Sequence, residues 1–253
     1  MPSSNDTPKE EPPGISSRDQ APSGAAPSAQ AAGRGSTDPA RPGDDTRLAL
    51  ITAAIGLFGK KGFDATSTRE IASAANANLA SIAYHFGGKD GLRLACADSV
   101  AGRIQAVVGP VLRDFDPGDD PALAQSGMES VVMSMADFLL GRAEARDIAA
   151  FVLSEMTKPG VVLDRIYEDF FKTVHAALCR LLGLATGQDP ESDLIRIGTF
   201  SIVGQVVYFR IGHAIVARRM GWETVGPVEI DAIKSVLLGN IRAFVTANRK
   251  TSK

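Results

Sequence analysis

Between Ser67 and Phe86 the chain holds two short segments, each with one apolar face, joined by the tripeptide Asn76-Ala77-Asn78. Ser67 or Thr68 suits the N-cap of the first, with Glu70 in its opening turn, and Ile71, Ala72 and Ala75 point inward. The small side chains of Ala72 and Ala75 allow two helices to cross closely. A three-residue turn of this kind needs one residue in left-handed conformation, where Gly is usual and Asn next best; Asn76 stands there. Asn78 caps a second short helix, Leu79 to Phe86, which Gly87-Gly88 ends. This helix-turn-helix suits the DNA major groove, the first helix bracing while the second offers its N-terminal residues to base edges.

The surroundings are helical as well. Leu48, Ile51, Ile55 and Phe58 recur at helical spacing, with Asp44 or Asp45 as cap and Gly62 as the stop after Lys60-Lys61. A long helix should start near Lys89-Asp90 and run to about Val108, ahead of Gly109-Pro110. Five more are expected at about 121–140, 144–156, 161–183, 191–219 and 228–247. Strand alternation and βαβ rhythm are absent, so the fold class is all-α. Residues 44–104 read as a three-helix DNA-binding domain, and 105–247 as a helical domain for ligand sensing and dimerisation. Residues 1–43 hold eight of the fourteen prolines and no Phe, Trp or Tyr. Such a segment buries too little surface to offset its ordering entropy and reads as a disordered tail.

Composition excludes several classes. No run reaches the roughly 20 apolar residues that span a bilayer, and no apolar segment follows Lys9-Glu10-Glu11 to make a signal peptide, so a cytoplasmic protein without a membrane partner is expected. Cys96 and Cys179 lie far apart in no metal-ligand spacing and read as small core hydrophobes. The three histidines, His85, His175 and His213, are dispersed, and no nucleophile elbow or phosphate-cradling glycine loop occurs, which argues against an enzyme and implies no cofactor. The net charge is −2, so a DNA-binding surface must come from local charge placement.

The run Thr68-Arg69-Glu70-Ile71-Ala72, then Asn78 and Ser81-Ile82-Ala83-Tyr84-His85-Phe86-Gly87-Gly88-Lys89, resembles the DNA-binding domain of the TetR/AcrR family of transcriptional regulators. Leu94-Ala95-Cys96 and Gly204 with Phe209-Arg210-Ile211-Gly212 resemble its CecR-type subgroup. The resemblance implies contacts to double-stranded DNA. Arg69 would reach a guanine or a phosphate, and Thr68 and Ser81 would offer hydroxyls. The polar tips of Tyr84 and His85 would meet phosphates while their rings pack on Phe86, and Lys89 would pair with a phosphate beside the start of the long helix. Leu79 and Ala80 stand where the family often has Lys, Gly or Pro, and Ala83 replaces a common Tyr, so thymine-methyl contacts and shape readout gain weight.

Two half-sites of a palindromic operator call for a homodimer. Ile230, Ile233, Leu237, Ile241 and Phe244 form an apolar stripe on the last helix, and Gly204, Tyr208 and Gly212 lie four apart on the one before, so the seam is expected on this pair. Val203, Val206 and Val207 offer a second apolar face. Glu155, Tyr167, His175 and Arg210 are candidates to line a site for an unknown small-molecule effector. The function expected is a repressor released from its operator by that effector, the alternative being an activator or a constitutive DNA-binding protein.

Overall fold

The computed structural model describes residues 42–158 and 160–250, and the described residues contain helices and no strand. The expected tail lies outside the described residues except at its end, where α1 (Pro42–Lys61) begins earlier than expected. Asp44 and Asp45 therefore occupy its first turn instead of capping it, still beside the positive end of the helix. Leu50, Ile51, Ala54, Ile55 and Phe58 are buried, whereas Leu48 is 54% exposed. The buried face is thus turned away from Leu48 towards Leu50. Gly62, at φ 81°, ends the helix and donates its N–H to the Phe58 carbonyl at 2.8 Å.

α2 (Thr68–Ala74) and α3 (Ala80–Phe86) follow, then α4 (Lys89–Asp114), which runs straight through Gly109-Pro110. Proline removes one backbone hydrogen bond. Here Pro110 and Ala106, whose carbonyl loses its donor, both lie on the exposed side, while Val108, Val111 and Leu112 pack into the core and carry the helix past the break.

α5 (Pro121–Gly141) is capped by Asp120, whose carboxylate accepts from the N–H groups of Ala122 and Leu123 at 2.8 and 3.2 Å. α6 (Glu144–Met156) comes next. The helix expected over 161–183 is α7 (Val161–Ile166) and α8 (Lys172–Thr186), joined by a π-helical turn at Tyr167–Phe171. The wider turn lets the adjacent Phe170 and Phe171 both reach the core, edge to face at 5.3 Å. The helix expected over 191–219 breaks at Gly212 into α9 (Asp193–Ile211) and α10 (His213–Met220); α11 (Pro227–Asn248) closes the fold.

Two cores result. One joins α1–α4 to Phe138, Ala145, Ile148, Phe151, Val162 and Ile166. The other lies among α5, α8, α9 and α11, with Val108 of α4. Ile104, Val107, Leu139 and Phe171 pack against both. Gly59 lets α1 approach α6 closely, since a Cβ there would sit 2.9 Å from the Phe151 nitrogen.

The last helices correct the sequence reading. Ile230, Ile233, Leu237 and Ile241 are buried within this one chain, and the Phe244 ring fills the space above Gly198. That stripe is core, not seam. The opposite faces are open: Ile197, Ser201, Gly204 and Tyr208 on α9, and Val228, Ala232, Val236, Gly239 and Ala243 on α11. α9 reaches the length and mean hydropathy of a membrane-crossing helix, although Asp193, Arg196, Gln205 and Arg210 leave it without an unbroken apolar run. Ile195, Gly198, Thr199, Ile202 and Val206 pack it into the core along one side.

Candidate functional site

Ser67 and Glu70 form a reciprocal cap at the start of α2. The Glu70 N–H donates to Ser67 Oγ at 3.2 Å, and the Ser67 N–H donates to Glu70 Oε2 at 2.9 Å. Lys61 Nζ, from the last turn of α1, reaches Glu70 Oε1 at 2.7 Å. The hydrogen bond from Lys61, then those from Ser67, hold the Glu70 carboxyl down to about 2. Thr66, almost fully buried, donates its hydroxyl to the Gly62 carbonyl at 2.8 Å and locks the preceding loop.

Asn76 is the one described non-glycine residue with positive φ, at 49°, as the turn demands. The Ala77 N–H returns to the Ala72 carbonyl at 2.9 Å. Asn78 Oδ1 accepts from the Ala80 N–H at 2.9 Å, so Asn78 caps α3 through Leu79, whose backbone is already helical. Ile82 alone of α3 is fully buried; Leu79, Ala80, Ala83 and Tyr84 face outward, Tyr84 being 85% exposed. Thr68 and Ser81 are half-buried and Arg69 is exposed. His85 lies between two rings, 4.9 Å from Tyr84 and 5.9 Å from Phe86. Lys89 Nζ stands 4.2 Å over the Phe63 ring, which fixes the cation at the start of α4.

Two contributors escaped the sequence reading. A side chain at Gly91 would overlap the Phe86 carbonyl oxygen, so Gly91 is what lets α4 start hard against the end of α3. Glycine inside a helical pattern is a signal for such an approach. Arg93 clamps α4 to α6 by a bidentate pair with the buried Glu155, at 3.1 and 2.6 Å, while its guanidinium covers Phe63 at 4.4 Å. Nothing in local spacing pairs residues 62 positions apart.

The four candidate effector residues separate. His175 and Arg210 line an apolar cavity of about 260 Å³, partly open to solvent, among α4, α5, α6, α8, α9 and the π-helical turn. Ile104 and Val107 of α4, and Ile148, Val152 and Met156 of α6, belong to its wall. Glu155 instead lines a separate cleft of about 450 Å³ with Phe63, Asp64, Arg93 and Lys158, and Tyr167 is half-exposed on the outer side of the π-helical turn. Both cysteines are buried, and burial pushes both thiols up, the behaviour of inert core residues.

Residues 50–96 match the family described as bacterial regulatory proteins, tetR family, and residues 124–247 match the C-terminal domain of the HTH-type transcriptional dual regulator CecR. The CecR protein of Shigella flexneri is 30% identical over 185 residues, covering 71% of this chain and 82% of that protein. The regulatory protein RaaS of Mycobacterium tuberculosis is 45% identical over 65 residues, 26% of this chain and 30% of its own. Among solved structures, AibR in complex with isovaleryl coenzyme A and operator DNA aligns with a TM-score of 0.60 at 17% identity, over 77% of this chain and 96% of that one. A transcriptional regulator from Rhodococcus sp. aligns at 0.58 and 15% identity, over 81% and 99%. These structures share the fold. By the CecR match and the two family patterns, the chain belongs to the TetR family of bacterial DNA-binding transcriptional regulators.

Proposed function

We propose that this regulator is a cytoplasmic homodimeric repressor, released from a palindromic operator when a small molecule occupies the apolar cavity. The observation that carries the reading is α4: its first residue follows the Gly87-Gly88 break after α3, and its Ile104 and Val107 form cavity wall. A ligand that shifts α4 moves Lys89 and α3 with it. Half-sites lie about 34 Å apart, so a displacement of a few ångströms misaligns one reading head. Residues 44–104 then read DNA and 105–247 sense and pair.

Thr68, Arg69, Ser81, Tyr84, His85 and Lys89 supply the polar contacts, and Leu79 and Ala80 the apolar ones to thymine methyls. Asn78, its oxygen engaged by Ala80, contributes chiefly by orienting α3. The seam falls on the open faces of α9 and α11, where exposed Gly204 and Gly239 have no neighbour within 4 Å that would obstruct a second copy.

The Shigella relative is a dual regulator, which favours a second reading in which this protein also activates. Footprinting on the protein's own promoter followed by transcription with purified polymerase separates the two. Lys89→Ala is expected to lower the salt slope of binding by about one counterion. A ligand found by thermal shift must lose affinity on operator by the factor by which it weakens DNA binding, about five- to 150-fold. Equal ligand affinity with and without operator sinks the release mechanism.

A further inference from the structure

We propose that the cavity takes a neutral, hydrocarbon-like compound of about ten carbon atoms, held by apolar contact alone; this rests on reading the cavity as the effector site and adds its ligand class. The pocket runs inward from Met156, Phe200 and Ile211, which are exposed, to Phe138, Ile148 and Leu178, which are buried. Its surface is almost wholly apolar, and among the lining residues only His175 and Arg210 carry polar side chains. Both have their polar atoms engaged by the protein. The His175 Nε2–H donates to the Arg196 carbonyl at 3.2 Å, Nδ1 lies 3.5 Å from Cys179 Sγ, and Phe200 stacks on one face of the ring at 4.0 Å. Arg210 gives the wall its carbon stem, while a terminal N–H donates to the Leu139 carbonyl at 3.1 Å in the last turn of α5.

A polar group carried into such a space gives up its water and finds no partner in exchange. The penalty is modest for a hydroxyl and far larger for a charge of either sign. Affinity must therefore come from apolar burial, which strengthens binding about fourfold for each methylene enclosed. Size follows from volume. An apolar protein cavity of about 150 Å³ holds one benzene ring, so 260 Å³ scales to a molecule of about ten carbon atoms. Four phenylalanines, Phe138, Phe170, Phe171 and Phe200, stand in the wall and suit a ligand that contains a ring.

The test is calorimetric titration of the full-length protein, near neutral pH, with the para isomers of isopropyltoluene, isopropylbenzyl alcohol, isopropylbenzylamine and isopropylbenzoate, which share one carbon skeleton. Isopropyltoluene is expected to bind most tightly, the alcohol about tenfold more weakly, and the two charged compounds at least about a hundredfold more weakly. Val152→Trp on α6 and Val207→Trp on α9 each place an indole where the ligand would lie, and each should abolish hydrocarbon binding. A wild type that binds the benzoate or the benzylamine as tightly as the hydrocarbon overturns the neutral class and leaves the effector cavity standing. Binding that survives both tryptophan variants puts the compound elsewhere and overturns the assignment, as does a wild type that binds none of the four. Should one tryptophan variant fail to fold, the other, on a different helix, decides. A hydrocarbon that occupies the cavity without weakening operator binding keeps the ligand class and removes the release mechanism.

Discussion

Glu70 shows how much one side chain can fix. It closes the cap of α2 with Ser67 and ties α2 to α1 through Lys61, and both links need the carboxylate charged. Its folded pKa is depressed from 4.5 to about 2, so the stabilisation is complete above the ordinary carboxylate range and is lost as pH falls from 4.5 towards 2. The side-chain carboxyl carbon of Glu70 is expected to titrate near pH 2 by NMR, with exchange protection of the Ser67 amide falling in parallel. A midpoint near 4.5 would show the cap absent in solution. Asn76 and Gly91 act without charge, the first by tolerating positive φ, the second by omitting a side chain where α4 meets Phe86.

At the scale of elements, α6 and α11 hold the informative contacts. The Arg93–Glu155 clamp joins α4 to α6 across a site where Glu155 is 2% exposed. Removing one partner leaves an uncompensated buried charge, so Arg93→Ala is expected to cost about 3–5 kcal/mol in denaturant unfolding, whereas Arg93→Met with Glu155→Leu should be near neutral. Equal losses for the single and the double replacement would show that no such coupling exists. On α11, adjacent residues differ sharply in burial: Leu237 is 1% exposed and Val236 57%. Leu237→Glu should unfold the chain, because the carboxylate lands in the core. Val236→Glu should keep the helix content and give a monomer by ultracentrifugation, with weakened binding to a two-half-site operator. A Val236→Glu protein that sediments as a dimer would move the seam elsewhere.

Across the whole molecule the two cores are not separable bodies. Ile104, Val107, Leu139 and Phe171 belong to both, and α6 packs on α1 on one side while lining the cavity with Ile148, Val152 and Met156. Shared side chains make the unfolding of one core expose the other, so one cooperative transition is expected. Trp222, the single tryptophan, packs against the second core only and offers a clean probe. Its fluorescence and the far-ultraviolet dichroism should melt at one temperature. Two resolved transitions would mean that the reading head unfolds on its own, and that α4 and α6 do not couple it to the cavity.

Local chemistry made the helix-turn-helix legible in residue order alone. Capping by Ser67 with Glu70, positive φ at Asn76, capping of α3 by Asn78 and the stop at Gly87 each depend on atoms a few positions apart. Helical periodicity likewise located most helices. It could not say which of two apolar faces on α11 turns inward, nor that α1 buries Leu50 and leaves Leu48 in water, because both faces satisfy the same spacing. The pairing of Arg93 with Glu155, and the gathering of His175 and Arg210 but not Glu155 or Tyr167 around one cavity, join residues tens of positions apart. Those placements come from how the helices pack, since each depends on the rotation of a helix about its own axis, which only its neighbours set.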